Sequence, residues 1–168
     1  MRLVLAAVLL CALPAGGCGG SPGPLEMVEA EPPSGARDLG VTGTKRSTSD
    51  PGSRIPRFRV EAGDGSALAY AVTVRNTGSE PVEVTGVAGD RDRDGAFLPE
   101  RVADAPVRVA AGDEQEVTVE GRVDGCRFGG QIVSLAGPEM ELRTDGDERT
   151  QELGMPIEVE LKATGCRA

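Results

Sequence analysis

Apolar side chains recur at every second position from Ile55 onward, and this alternation constrains the fold more than any other feature of the sequence. It is cleanest over residues 68–74 (LAYAVTV) and 157–163 (IEVELKA). Such period-two patterns are typical of strands that bury one face. Seven or eight of these segments, separated by turns rich in Gly, Asp and Asn, predict an all-β, antiparallel sandwich over residues 55–168 with a core built mostly from Val.

Two segments of this region resemble immunoglobulin-like and fibronectin-III-like domains of exported bacterial proteins. In residues 71–84 (AVTVRNTGSEPVEV) a strand ends in an Asn-Thr-Gly turn and the next begins with Pro-Val. In residues 109–119 (VAAGDEQEVTV) a Gly-Asp turn precedes an alternating strand. The resemblance implies an immunoglobulin-like architecture and no particular activity. The chain contains no Trp, so it lacks the Cys-Trp-Cys core of antibody domains.

Residues 1–17 have the pattern of a secretory signal peptide, with a charged start and an apolar run too short to span a bilayer. Residues 13–18 (LPAGGC) are similar to the lipobox of bacterial lipoproteins. In that family the Cys is acylated, for example with palmitate, and becomes the first residue of the mature chain. The resemblance implies a lipid anchor at Cys18 on the outer face of the cell membrane. Ordinary signal-peptidase cleavage near Ala15 is the alternative.

The stretch from residue 18 to residue 54 is rich in Gly, Pro, Ser and Thr and shows no apolar period. We expect it to be a disordered linker that follows the lipidated Cys. A flexible chain of about 36 residues spans about 30–35 Å on average. The predicted linker would therefore hold the sandwich domain away from the membrane.

Two of the four cysteines remain for the folded domain, because Cys11 lies in the signal peptide and Cys18 would carry the lipid. In an exported protein, Cys126 and Cys166 are expected to form a disulfide. This disulfide would link the segment after Val123 to the C-terminal end of the chain. Two buried free thiols are the alternative.

Charge and composition exclude several functions. The chain has no His, which excludes Ser-His-Asp catalytic triads and zinc sites with His ligands. It has 18 basic and 27 acidic residues, and loss of residues 1–17 would leave 17 basic residues against the same 27. Such acidity argues against binding to nucleic acids or to anionic lipid head groups. No set of residues with catalytic spacing stands out, so we expect a non-enzymatic protein without a cofactor.

One acidic loop has the spacing of a calcium site. Asp90, Asp92 and Asp94 precede Gly95, as carboxylates do at the start of an EF-hand loop. The twelfth position, which should be a bidentate Glu, is Arg101. A calcium-binding module is therefore the alternative function, and a solvated hairpin loop is the simpler interpretation of the same residues.

The leading hypothesis is a membrane-anchored binding or scaffolding module for another protein of the cell envelope. Phe97 and Phe128 both lie next to loops, so either ring could be exposed. We expect them to contact the partner protein, together with edge strands or the loops 90–99 and 126–130.

Overall fold

The structure is a computed structural model, and it describes residues 23–42, 55–89 and 95–166. These residues form twelve β-strands and one 3-10 turn, Cys126–Phe128, and include no α-helix. The strands are β1 Leu25–Ala30, β2 Arg37–Thr42, β3 Ile55–Gly63, β4 Ala67–Asn76, β5 Val82–Val87, β6 Phe97–Val102, β7 Val107–Val109, β8 Glu114–Val123, β9 Ile132–Ser134, β10 Glu139–Thr144, β11 Asp147–Glu152 and β12 Glu158–Thr164.

The strands are arranged in three sheets of four. The first sheet has the order β1-β4-β8-β6, the second β11-β10-β5-β7 and the third β2-β3-β12-β9. Strands β3 and β12 pair in parallel, and the other described pairs are antiparallel. The prediction of an all-β fold with antiparallel sheets is confirmed.

Twelve strands exceed the seven or eight that the alternation predicted, because β1, β2, β6 and β11 were missed. Strand β11 has no apolar alternation, since five of its six residues are exposed. In β6 the register shifts between Pro99 and Arg101, which interrupts the period of two. Such strands are held by hydrogen bonds to a neighbouring strand, and a periodicity analysis does not register those bonds.

The prediction of a disordered linker over residues 18–54 is wrong for β1 and β2. Strand β1 pairs with β4 and buries Leu25, Met27 and Ala30 in the core. Strand β2 pairs with β3. Three buried side chains and a ladder of backbone hydrogen bonds offset the ordering entropy of a short segment that has little periodicity of its own. The rest of that linker, Cys18 and the signal peptide lie outside the described residues.

One hydrophobic core joins the inner faces of the three sheets. Val is the most frequent residue in it, with 12 of the 24 buried hydrophobic side chains of the described residues, and several Val residues have less than 2% of their surface exposed. The largest fully buried side chains are Met140, Leu142, Leu161, Val72, Val74, Val82, Val84, Val109, Val117, Val119, Val123 and Val159. The core is therefore continuous from β1 to β12.

The turn after β4 is anchored by a buried amide. The Asn76 side chain donates hydrogen bonds to the carbonyls of Glu80, at 2.7 Å, and Val109, at 3.1 Å. Its Oδ1 accepts a bond from the backbone N–H of Gly78 at 2.9 Å. Asn76 has no exposed surface. It therefore fixes the turn and also ties β4 of the first sheet to β7 of the second.

Cys126 and Cys166 form a disulfide with a Cα–Cα distance of 5.2 Å, which confirms the predicted pairing. The bond links the 3-10 turn after β8 to the segment after β12. The backbone N–H of Cys126 also donates a hydrogen bond to Asp64 Oδ1 at 2.9 Å. The disulfide therefore lies beside the β3–β4 turn and closes a loop of 40 positions.

Candidate functional site

The acidic loop predicted to bind calcium lies outside the described residues. Asp90, Asp92 and Asp94 lie between the described ranges 55–89 and 95–166, so calcium binding there stays a prediction. Within residues 23–42, 55–89 and 95–166, no group of three His, Cys, Asp or Glu side chains is placed to hold a metal ion.

Phe97 does not form the exposed contact that the sequence predicted. It is only 9% exposed, and its ring meets the ring of Tyr70 edge to face at a centroid distance of 5.7 Å. Phe97 pairs with Val123 of β8, whose side chain is also buried, so strand register directs both toward the core. The expected exposure of Phe97 is therefore wrong, while its role in partner binding stays a prediction.

Phe128 lies at the end of the 3-10 turn, next to the disulfide. Its ring is partly buried against the hydrophobic core, and the Arg127 guanidinium carbon lies 5.8 Å from the ring centroid. One part of the ring is thus covered by the core and another by a cation. A role for Phe128 in partner binding stays a prediction.

A small apolar cavity lies beside Phe97 and Tyr70. Ala88, Leu135 and Pro138 complete part of its wall, and its volume is about 40 Å³. Burial in this region raises the pKa of Tyr70, so the phenol stays protonated at neutral pH. A cavity of this size holds one or a few water molecules and is too small for an organic ligand.

The outer face of the first sheet is covered by exposed Arg–Glu pairs between neighbouring strands. These are Arg75–Glu114, Arg101–Glu120 and Arg122–Glu100. The hydrogen bond from Arg75 to Glu114, followed by the attraction of that carboxylate, raises the pKa of Arg75. Exposed pairs like these add little stability, but they keep the parts of the face around them hydrated.

The second sheet has a similar outer pair. Arg143 Nε donates to Glu83 Oε2 at 3.0 Å, and this hydrogen bond and the charge of Glu83 raise the pKa of Arg143. The side chains of Arg143 and Glu83 are 45% and 32% exposed. The second sheet therefore carries a partly exposed charged pair on its outer face.

The third sheet differs, because its outer face buries a carboxylate. The Glu160 side chain is only 6% exposed and lies between the guanidinium groups of Arg57 and Arg59. Arg59 Nε donates to Glu160 Oε2 at 2.8 Å, and an Arg57 nitrogen contacts Oε1. Glu158 Oε1 lies 4.0 Å from Arg57 Nε. The two arginine side chains are each 34% exposed, so this cluster reaches the surface.

Strand pairing produces this cluster. Glu160 of β12 lies opposite Arg59 of β3 in the parallel ladder, and Arg37 of β2 lies opposite Arg59 on the other side. The sequence does contain a signal, because Arg recurs at alternate positions in β3 and Glu recurs at alternate positions in β12. Sequence reasoning missed the site because about a hundred positions separate the two strands, and their pairing is a tertiary property.

Exposed apolar residues lie on both edge strands of the third sheet. Ile132 of β9 is 46% exposed and pairs with Lys162 of β12, while Val41 of β2 is 56% exposed. We call the outer surface formed by Arg37, Arg57, Arg59, Glu160 and Ile132 the third-sheet face. It combines guanidinium groups with an exposed aliphatic side chain, and it is the candidate functional site.

Comparison with protein-family models gives no match, and a search of curated proteins finds no similar sequence. No helix in the described part of the chain is long and apolar enough to cross a membrane.

Proposed function

We propose that this protein is a membrane-anchored, extracytoplasmic binding or scaffolding module of the cell envelope, without enzymatic activity. The observation that carries the proposal is the disulfide between Cys126 and Cys166. Such bonds persist in oxidising compartments and are rare in the cytosol. The disulfide therefore supports export from the cytosol. Export is also what the signal-peptide pattern of residues 1–17 and the lipobox-like segment that ends at Cys18 predict.

The strand order supports an immunoglobulin-like architecture for this module. In chain order, β1, β4, β5, β6, β8, β10 and β11 would be strands A to G. The first sheet then has the order A-B-E-D, and the second contains G-F-C, as in constant-type immunoglobulin domains. Strand β7 extends the second sheet, and the third sheet is an addition built from the remaining strands. Domains of this architecture serve many functions, so the function has to come from the surface.

The third-sheet face is the surface we propose for partner binding. Arg is enriched in protein interfaces, because its planar guanidinium binds carboxylates and its stem adds apolar contact. Arg37 is exposed next to the Arg57–Arg59–Glu160 cluster, and Ile132 adds an aliphatic contact. A protein surface that presents carboxylates around an apolar side chain would complement this face.

Anchoring is tested by fractionating cells that express the wild-type chain or Cys18→Ala. We expect the wild type in the membrane fraction, with a mass gain that corresponds to acylation. Cys18→Ala should lose the acyl mass and, once its signal peptide is removed, almost all membrane association, because an acidic domain is not attracted to anionic head groups. Cys11→Ala is the matched control and should behave as wild type. A Cys18→Ala protein that has lost its signal peptide and still remains in the membrane fraction would contradict the anchor.

Partner binding is tested by photo-cross-linking in intact cells. A photoreactive residue at Ile132 should give a discrete adduct with another envelope protein. The control position is Thr150, which is exposed on β11, an edge strand of the second sheet. We expect a much weaker adduct there, or none. Equal adducts from both positions would show that the third-sheet face is not selective.

A further inference from the structure

Hydrogen bonds fix the chain at Pro24 and Leu25, near the start of the first described range. The Pro24 carbonyl accepts hydrogen bonds from the backbone N–H of Thr77, at 2.7 Å, and from its Oγ1, at 3.1 Å. The Gln151 side-chain amide bonds both the N–H of Leu25, at 3.2 Å, and its carbonyl, at 2.5 Å. Strand β1 is therefore held by β4 on one side and by a side chain of β11 on the other.

Because Pro24 is fixed to the domain, the tether between the proposed lipid at Cys18 and the domain is short. Only six positions separate Cys18 from Pro24. Even a fully extended chain of six residues reaches only about 20 Å. The 36-residue linker expected from composition would permit a much larger separation, but ordered β1 and β2 remove that freedom.

The direction of β4 defines which end of the domain the tether holds. Pro24 is bonded to Thr77, directly after the end of β4 at Asn76. The other end of β4 begins at Ala67, about 30 Å away for a ten-residue strand. At that end Gly65 N–H donates to the Val123 carbonyl at 2.8 Å, close to the disulfide. The tether and the disulfide therefore lie at opposite ends of β4.

We propose that the domain stands close to the bilayer, with the turn of residues 76–81 facing the lipid head groups and the disulfide end pointing away. This proposal rests on the proposed lipidation of Cys18. The surface at the membrane end includes Glu80 and, near Asn76, Asp113, so anionic lipids offer it no electrostatic attraction. The orientation follows from the short tether, and it does not depend on head-group charge.

The test uses the full mature protein, extracted from membranes with its lipid and reconstituted into phosphatidylcholine vesicles that contain a fluorescent head-group acceptor. Two single variants, Ser79→Cys and Ala67→Cys, each carry a donor dye, and both positions are exposed. We expect clearly greater energy transfer from position 79 than from position 67. Addition of anionic phosphatidylglycerol should leave that order unchanged. Labelled variants must first melt at the wild-type temperature, so that loss of folding is not mistaken for reorientation.

A longer tether supplies the matched control. Insertion of about 20 Gly and Ser residues after Gly20 would allow an average span near 30 Å and should bring the two transfer efficiencies together. If the wild-type protein is bound to vesicles but position 67 transfers as much as position 79, the orientation is overturned and the anchor stands. If the protein carries no lipid and does not bind vesicles, the anchor and the orientation both fail.

Discussion

Asn76→Asp is expected to destabilise the protein by about 3–5 kcal/mol at pH 7. The substitution removes the two N–H donors that bond the carbonyls of Glu80 and Val109 and replaces them with a carboxylate. The site has no exposed surface, so the new charge would be buried against two carbonyl oxygens without a counter-ion. Urea denaturation of the oxidised protein, followed by circular dichroism, measures the loss.

Two comparisons separate the charge from the lost hydrogen bonds. Asn76→Ala removes the bonds without adding a charge and should cost about 2–3 kcal/mol. Protonation of the new carboxyl restores one donor and removes the charge, so the difference between Asn76→Asp and wild type should shrink from pH 7 to pH 3. Ser79→Ala, at an exposed position of the same turn, should change stability little. A pH-independent loss in Asn76→Asp would show that the carboxylate escapes to water.

Glu160→Ala is expected to destabilise the protein by about 3 kcal/mol. Removal of this carboxylate leaves the Arg57 and Arg59 guanidinium groups adjacent, with their shared acceptor gone. Breaking a buried ion pair from one side typically costs about 3–5 kcal/mol, and we expect the lower end because both arginine side chains are 34% exposed and can turn toward water. The same urea titration measures the loss, which should persist largely in about 1 M NaCl because the carboxylate is shielded from solvent.

Glu158→Ala is the matched control on the same strand. Its side chain is 23% exposed, and its carboxylate lies 4.0 Å from Arg57 Nε, too far for a hydrogen bond, so we expect a loss below about 1 kcal/mol. A triple variant, Arg57→Met, Arg59→Met and Glu160→Leu, should recover most of the stability that Glu160→Ala loses, because the buried carboxylate and its two guanidinium partners are removed together. Equal losses from Glu158→Ala and Glu160→Ala would contradict the special role of the buried carboxylate.

The part of the fold that sequence predicted best is the part with regular alternation. Strands β4, β8 and β12 have long period-two patterns, and their inner residues, such as Val72, Val119 and Leu161, are fully buried. The turn at Asn76 was also predicted, but as an ordinary turn. Its burial depends on Val109, a residue 33 positions away, so the local pattern does not contain it.

The candidate site was predicted less well. Phe97 lies next to a loop in sequence, and only the register of β6 with β8 shows that it faces the core. The charged residues of the third-sheet face have an unremarkable local pattern of alternating polar positions. They become a cluster because β3 and β12 lie side by side in parallel, which local sequence does not specify.

The sequence by itself determined the all-β class, the Val-rich core and the disulfide, because alternation and cysteine count are local or compositional properties. It also contains the predicted export signal and the lipobox-like segment on which the proposed anchor depends. The tertiary structure alone decided that β1 and β2 belong to the sheets, that Phe97 is buried and that Glu160 lies between two arginines. These features arise from contacts between segments far apart in the chain, and their energies exist only once the sheets have formed.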